Sequence, residues 1–348
     1  LHLLFQFIIS VFLLSPTALA TGDHSGSSVA EFWLSPPAKD ARKKAAKPPK
    51  TKAKKRPASV QRRTKRRVTT LTTRRLAPSG SLKRVTTRTV RKGKVIKTTK
   101  TTVLYENLAI MGSSYARIPI LDSKLQGTVY YLASGHGGPD PGAIGVYGKQ
   151  RLPEDEYAYD VTLRLARVLI QHGATVYMIV QDRNDGIRDA AVLPIDNDEV
   201  AYPNLTIPLN QTNRLHQTTT AVNGQFARHK ERYQRFVTIH VDSRSKGETT
   251  DVFFYHHPQS RTGLRLAKHI HKTFKAMYRR HRPARPYMGR VSSRGSLYVV
   301  KNSHPPTVFI ELGNIQNSLD QRRFLQAQNR QALANWMCQG MITDYKSR

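Results

Sequence analysis

The chain of 348 residues has one cysteine, Cys338, so it can close no disulfide within itself and cannot build a thiolate-rich structural metal centre. Cys338 is expected as a buried core thiol. Past the first twenty residues no apolar run approaches the length of a membrane span. Acidic residues are scarce, 23 Asp and Glu against 57 Lys and Arg, for a formal charge of +34. That excess does not make the chain a nucleic-acid enzyme. About 25 of the basic residues fall between Lys39 and Lys100, a stretch without a single aromatic side chain on which bases could stack, so sequence-specific nucleic-acid recognition is not expected.

The same poverty of aromatic and acidic residues, with Lys, Arg, Thr, Ala and Pro in their place, leaves residues 21–105 too little apolar surface to offset the entropy of ordering a backbone. A disordered basic linker is expected there, and residues 85–100, which alternate Val and Thr with basic residues, are assigned no fixed structure. Residues 1–20, LHLLFQFIISVFLLSPTALA, are apolar and end in Ala18-Leu19-Ala20. They read as a secretory signal peptide, the alternative being an uncleaved N-terminal anchor.

The remaining chain, 106–348 with a core at 127–345, is long enough for one domain with a full core. Strand-like runs are expected at Thr128 to Ser134, Ala174 to Gln181, Arg235 to Val241, Asp251 to His256, Leu297 to Val300 and Thr307 to Leu312. Helical periodicity covers Asp155 to His172, Asn210 to Tyr233, Ser260 to His281 and Asp320 to Tyr345. This alternation implies a single three-layer α/β domain, a mostly parallel, mixed central sheet with helices on both faces. Residues 184–208 are too long and too proline-rich for an ordinary connection and read as a surface excursion near a functional edge.

Chemistry concentrates at strand ends. The run TVYYLAS delivers His136 into a loop whose Gly135, Gly137, Gly138 and Gly142 clear space around it. A second strand, FVTIHVDS, ends on His240. Between them Glu154, Asp155 and Glu156 open a helix. One of the two glutamates caps the helix dipole and the other turns inward as an oxygen ligand; Glu156, on the helical face of Leu163, is preferred over Glu154. Two imidazoles and a carboxylate leave a fourth tetrahedral position open, as catalytic zinc requires. The last strand buries Glu311 between Ile310 and Leu312. An ionised carboxylate in an apolar strand needs a partner, either a basic side chain or a reacting water whose proton it takes.

With these residues read, the segment 127–345 resembles the zinc-dependent N-acetylmuramoyl-L-alanine amidase family, through GHGGPDPGAIG at 135–145, the acidic helix start at 154–156, TIHVDS at 238–243 and VFIELGNIQN at 308–317. The resemblance implies Zn2+ on His136, Glu156 and His240, Glu311 as the catalytic glutamate, and peptidoglycan as substrate in the periplasm or outside the cell. The chain departs from the family pattern in having Ala133 where an aspartate usually steadies the first histidine, Val241-Asp242 after the second, Asn314 after Glu-Leu-Gly, and extra residues between Glu154 and Asp160. Rival readings are a zinc peptidase on stem or cross-bridge peptides and a wall-binding homologue without turnover. The basic linker is expected either to act as a spacer or to bind anionic envelope polymers or lipid headgroups through distributed charge.

Overall fold

The computed structural model describes residues 104–348, together with the backbone of two strands further upstream, Lys83–Arg91 and Lys94–Thr102. The signal peptide expected at 1–20 and the rest of the basic linker lie outside the described residues. The two upstream strands pair antiparallel, Val85 opposite Lys100 and Val90 opposite Val95, where the sequence reading assigns no fixed structure. Val and Thr in these two runs favour a pleated backbone.

Six strands form the central sheet. In chain order they are Thr128–Ser134 (β1), Thr175–Met178 (β2), Tyr233–Asp242 (β3), Phe253–His256 (β4), Val291–Ser293 (β5) and Thr307–Asn314 (β6). Across the sheet the order is β5, β4, β6, β3, β1, β2. β6, β3, β1 and β2 run parallel, and β4 joins β6 antiparallel with β5 parallel to it. The sheet is thus mixed around a parallel centre. Every residue of β1 is buried, which is why its sequence is continuously apolar and aromatic instead of alternating.

Among the described residues six α-helices cover the two faces: Glu154–Gln171 (α1), Gln211–Arg228 (α2), Arg261–His281 (α3), Tyr298–Asn302 (α4), Ser318–Leu325 (α5) and Ala327–Lys346 (α6). On one face Val129, Tyr131 and Ala133 of β1, Phe236 of β3 and Phe309 of β6 pack with Val222 of α2 and with Val299 and Val300 of α4. On the other, α1 and α3 flank α6, whose Cys338 is buried as expected. Two expected elements are corrected. Leu297 to Val300 is not a strand; Tyr298–Asn302 is helical, a short apolar run being unable to distinguish the two by periodicity. The helix expected from Asp320 to Tyr345 is two helices broken at Gln326, whose extended backbone caps α6. None of the described helices is long and apolar enough to cross a membrane.

The excursion after β2 is built on a buried charge knot. Asp160 of α1, fully buried, accepts from Arg164 Nε at 2.7 Å and Arg330 Nε at 2.6 Å, and its other oxygen accepts from the Arg188 amide at 2.8 Å. The two guanidinium groups in turn donate to the Arg188 carbonyl, each at 2.7 Å. Further on, Val200–Ala201 pairs with Val180–Gln181 and with Leu205–Thr206, so the excursion is held rather than loose. Asp160→Asn strands two buried arginines; it is expected to cost about 3–5 kcal/mol in denaturant unfolding, far more than a surface charge removal.

Candidate metal centre

The parallel strands β1, β3 and β6 all end at the same edge, and each brings one element of the site. His136 follows β1 in a left-handed conformation, φ 65°, and its imidazole stands edge-on to that of His240, with ring centroids 5.3 Å apart. His240 is fixed from the other side by stacking on Phe309 of β6 at 4.2 Å. Gly135 is required by this arrangement, because a Cβ there would lie 2.1 Å from the His240 ring.

Glu154, the first residue of α1, reaches between the two rings. Its Oε1 lies 3.1 Å from His240 Nδ1 and its Oε2 3.3 Å from His136 Nε2. The carboxylate is held by two backbone amides, Ala143 N at 2.9 Å and Val241 N at 3.0 Å, one from each histidine segment. Burial alone would raise its pKa, but the two imidazoles outweigh burial and hold it well below the usual carboxylate range. Glu156, the residue preferred from sequence, does not reach the histidines. Its carboxylate accepts from Arg188 Nη2 at 2.7 Å and from the Asp196 amide at 3.0 Å. Glu154 comes first in α1: the chain enters that helix from the hairpin strand Gln150–Pro153, extended at Pro153, and this directs the first residue toward the sheet edge.

Glu311 sits on β6 in register with His240 on β3, so both side chains leave the same face of the sheet. Its Oε2 is buried and has no hydrogen-bond partner. Burial, followed by the nearby charges of Glu154 and Asp242, pushes its pKa well above the ordinary value. No basic side chain within the described residues forms an ion pair with it, which removes the salt-bridge alternative weighed from sequence.

The ligating atoms of His136, Glu154 and His240 lie within 4.8 Å of one another. One oxygen of Glu154 faces each imidazole, so the three side chains converge on one point with a carboxylate between two ring nitrogens. Nitrogen and carboxylate donors in this number suit zinc. Residues 131–343, more than half of the chain, match the N-acetylmuramoyl-L-alanine amidase family. The chain belongs to that family. Solved structures to which the chain is similar include the CwlD amidase from Clostridioides difficile in complex with the GerS lipoprotein, 17% identical, covering 63% of this chain and 99% of that one at a TM-score of 0.47. N-acetylmuramoyl-L-alanine amidase AmiC2 of Nostoc punctiforme is 20% identical, with 65% and 99% covered and a TM-score of 0.45. Ami1 from Mycobacterium smegmatis is 17% identical, with 64% and 99% covered and a TM-score of 0.46. No curated protein matches the chain. The family assignment rests on the 131–343 match, and it makes the chain a peptidoglycan amidase.

What steadies His136 in this amidase, with Ala133 three residues before it, is Asp140. Its Oδ2 lies 2.9 Å from His136 Nδ1, and its Oδ1 accepts from Gly142 N at 3.1 Å. Arg214 of α2 bonds Asp140 in turn. The His136 hydrogen bond, ahead of opposing burial, draws the Asp140 pKa down to about 2. Burial works against a charged His136, yet Asp140 and Glu154 together raise its pKa to about 10. Sequence reasoning passed over Asp140, although its position four residues after a loop histidine is a usable signal, and it passed over Arg214, which has none. At Gly142, φ +67°, a Cβ would stand 2.7 Å from the His136 ring and 2.8 Å from Glu154 Oε2. Gly142→Ala is therefore expected to lower thermal stability by about 1–3 kcal/mol and to reduce metal content measured by elemental analysis.

Proposed function

We propose that this amidase is an exported zinc hydrolase that cleaves the amide bond between N-acetylmuramic acid and the L-alanine of the peptidoglycan stem. The observation that supports it best is the convergence of His136 Nε2, Glu154 and His240 Nδ1 beside the unpartnered Oε2 of Glu311. His136, Glu154 and His240 would hold the zinc, with Glu154 in the role first given to Glu156. When bound, zinc supplies Lewis acidity toward the scissile carbonyl and lowers the pKa of water to about 7.

The other steps fall to side chains. Asp140 accepts the Nδ1 proton of His136, which leaves the Nε2 lone pair facing Glu154 and the site. Phe309 keeps the His240 ring from turning. Glu311 Oε2 takes a proton from the attacking water as its oxygen bonds to the carbonyl carbon. It then delivers that proton to the L-alanine nitrogen as the carbon–nitrogen bond breaks. A carboxyl pushed upward by burial holds a proton more readily than an exposed one, which suits Glu311 to take the proton and pass it on. Export follows from the location of the substrate, and the segment proposed as its signal, residues 1–20, lies outside the described residues.

Two measurements test the assignment. Glu154→Gln is expected to lose most bound zinc, whereas Glu156→Gln retains one zinc per chain; the opposite result restores Glu156 as ligand. Mass spectrometry of purified muropeptides incubated with the zinc-loaded protein is expected to show free stem peptides beginning at L-alanine. Cleavage inside the stem or cross-bridge would identify a peptidase instead, and no cleavage a binding protein. Glu311→Gln is expected to reduce this turnover by a factor of roughly 10² to 10⁴ without altering zinc content.

A further inference from the structure

Beside the zinc ligands but separate from them, six carboxylates gather where the excursion meets the start of α1. Their ligating atoms fall into three triads, each within 4.8 Å: Asp155, Glu156 and Glu199; Glu156, Asp185 and Asp196; Asp182, Asp196 and Glu199. The triads share members at Glu156, Asp196 and Glu199, so they form one continuous patch. Arg188 neutralises part of it, through Glu156 and Asp185. Among the described residues no basic side chain forms an ion pair with Asp155, Asp182, Asp196 or Glu199.

Crowded acids alone would be an accident of charge, but two of these are almost completely buried and incompletely bonded. Asp155 is 1% exposed and Asp182 2% exposed. In Asp155, Oδ1 accepts from the Glu156 amide and Oδ2 has no partner; in Asp182, Oδ1 accepts from the Asn184 and Asp185 amides and Oδ2 has no partner. Asp196 Oδ1 is likewise buried and bare. Burying several carboxylates without a counter-charge costs far more than a fold can supply, unless protons or a cation satisfy them.

We propose that this patch binds a hard divalent cation, calcium, with Asp182, Asp196 and Glu199 as its side-chain ligands and Asp155, next to Glu199, adding negative charge. An all-oxygen donor set excludes the zinc-preferring chemistry of the neighbouring centre. Ligands drawn from an irregular excursion favour calcium, which accepts variable geometry, over magnesium, which demands a regular octahedron. The consequence is local order. Glu199 Oε2 also accepts from Gly138 N at 2.7 Å, so a cation held here would lock the excursion onto the loop that carries His136. The inference does not depend on the hydrolytic reading, and its readouts are independent of turnover.

The test titrates calcium into the full, zinc-loaded chain by calorimetry, follows terbium luminescence sensitised by Tyr159, whose hydroxyl accepts from Asp182 N at 2.8 Å, and records thermal melts. One saturable calcium per chain and a rise of at least about 3 °C in melting temperature at saturation are expected. Asp182→Asn and Asp196→Asn should each weaken binding at least about tenfold. Without calcium these variants should melt higher than the parent chain, since repulsion is relieved, and with calcium the order should reverse. Magnesium at equal concentration should give a smaller shift. Absence of saturable binding, or binding that both variants retain, would overturn the proposal. So would a parent chain that loses stability as pH rises from about 6 to about 8 and is not rescued by calcium, because protons would then be what satisfies the patch.

Discussion

The active edge of this protein depends on one carboxylate. Glu154 joins three segments distant in sequence by facing both histidines and accepting from Ala143 N and Val241 N. Remove it and the His136 loop, the end of β3 and the start of α1 have no common partner at the point where they meet. Its burial also sets the electrostatics. A carboxylate kept ionised between two imidazoles favours charge on His136 and disfavours it on Glu311. A divalent ion would replace the proton on the first and leave the second available for proton transfer.

Around that point the fold is rigid by construction. Parallel strands whose side chains are buried on both faces can end only at a sheet edge, and in open α/β sheets that edge is where loops are free to carry ligands. The positioning groups come from both layers. Phe309 steadies His240 from the neighbouring strand, and Asp140, tied to Arg214 of α2, steadies His136 from the opposite side. Asp140 does this from four residues after the histidine, whereas Ala133, three residues before it, has no polar side chain to offer.

The excursion extends the same logic outward. Asp160, Arg164 and Arg330 pin its first turn to α1 and α6, and Glu199 ties its later part to Gly138. Its acidic residues lie over the start of α1, where the helix dipole favours negative charge. That field is too weak to satisfy several buried carboxylates at once, and this imbalance motivates the proposed calcium site.

Residue type and spacing alone determined the α/β class, the boundaries of β1, the two strand-borne histidines and the buried glutamate in β6. Each is a local signal: a run buried on both faces must be apolar throughout, and a lone polar residue at its end stands out. The three remaining decisions were tertiary. Glu154 and Glu156 differ by only two residues, and which of them meets the histidines depends on how the 144–153 hairpin delivers the chain into α1. Leu297 to Val300 became helical because Val299 and Val300 pack against α2, and no periodicity can be read from four residues. Asp140, Arg214 and the patch around Asp182 and Glu199 acquire meaning only when segments up to 74 residues apart are brought into contact. Sequence records which groups are present, while the partner of a buried charge is chosen by the packing that buries it.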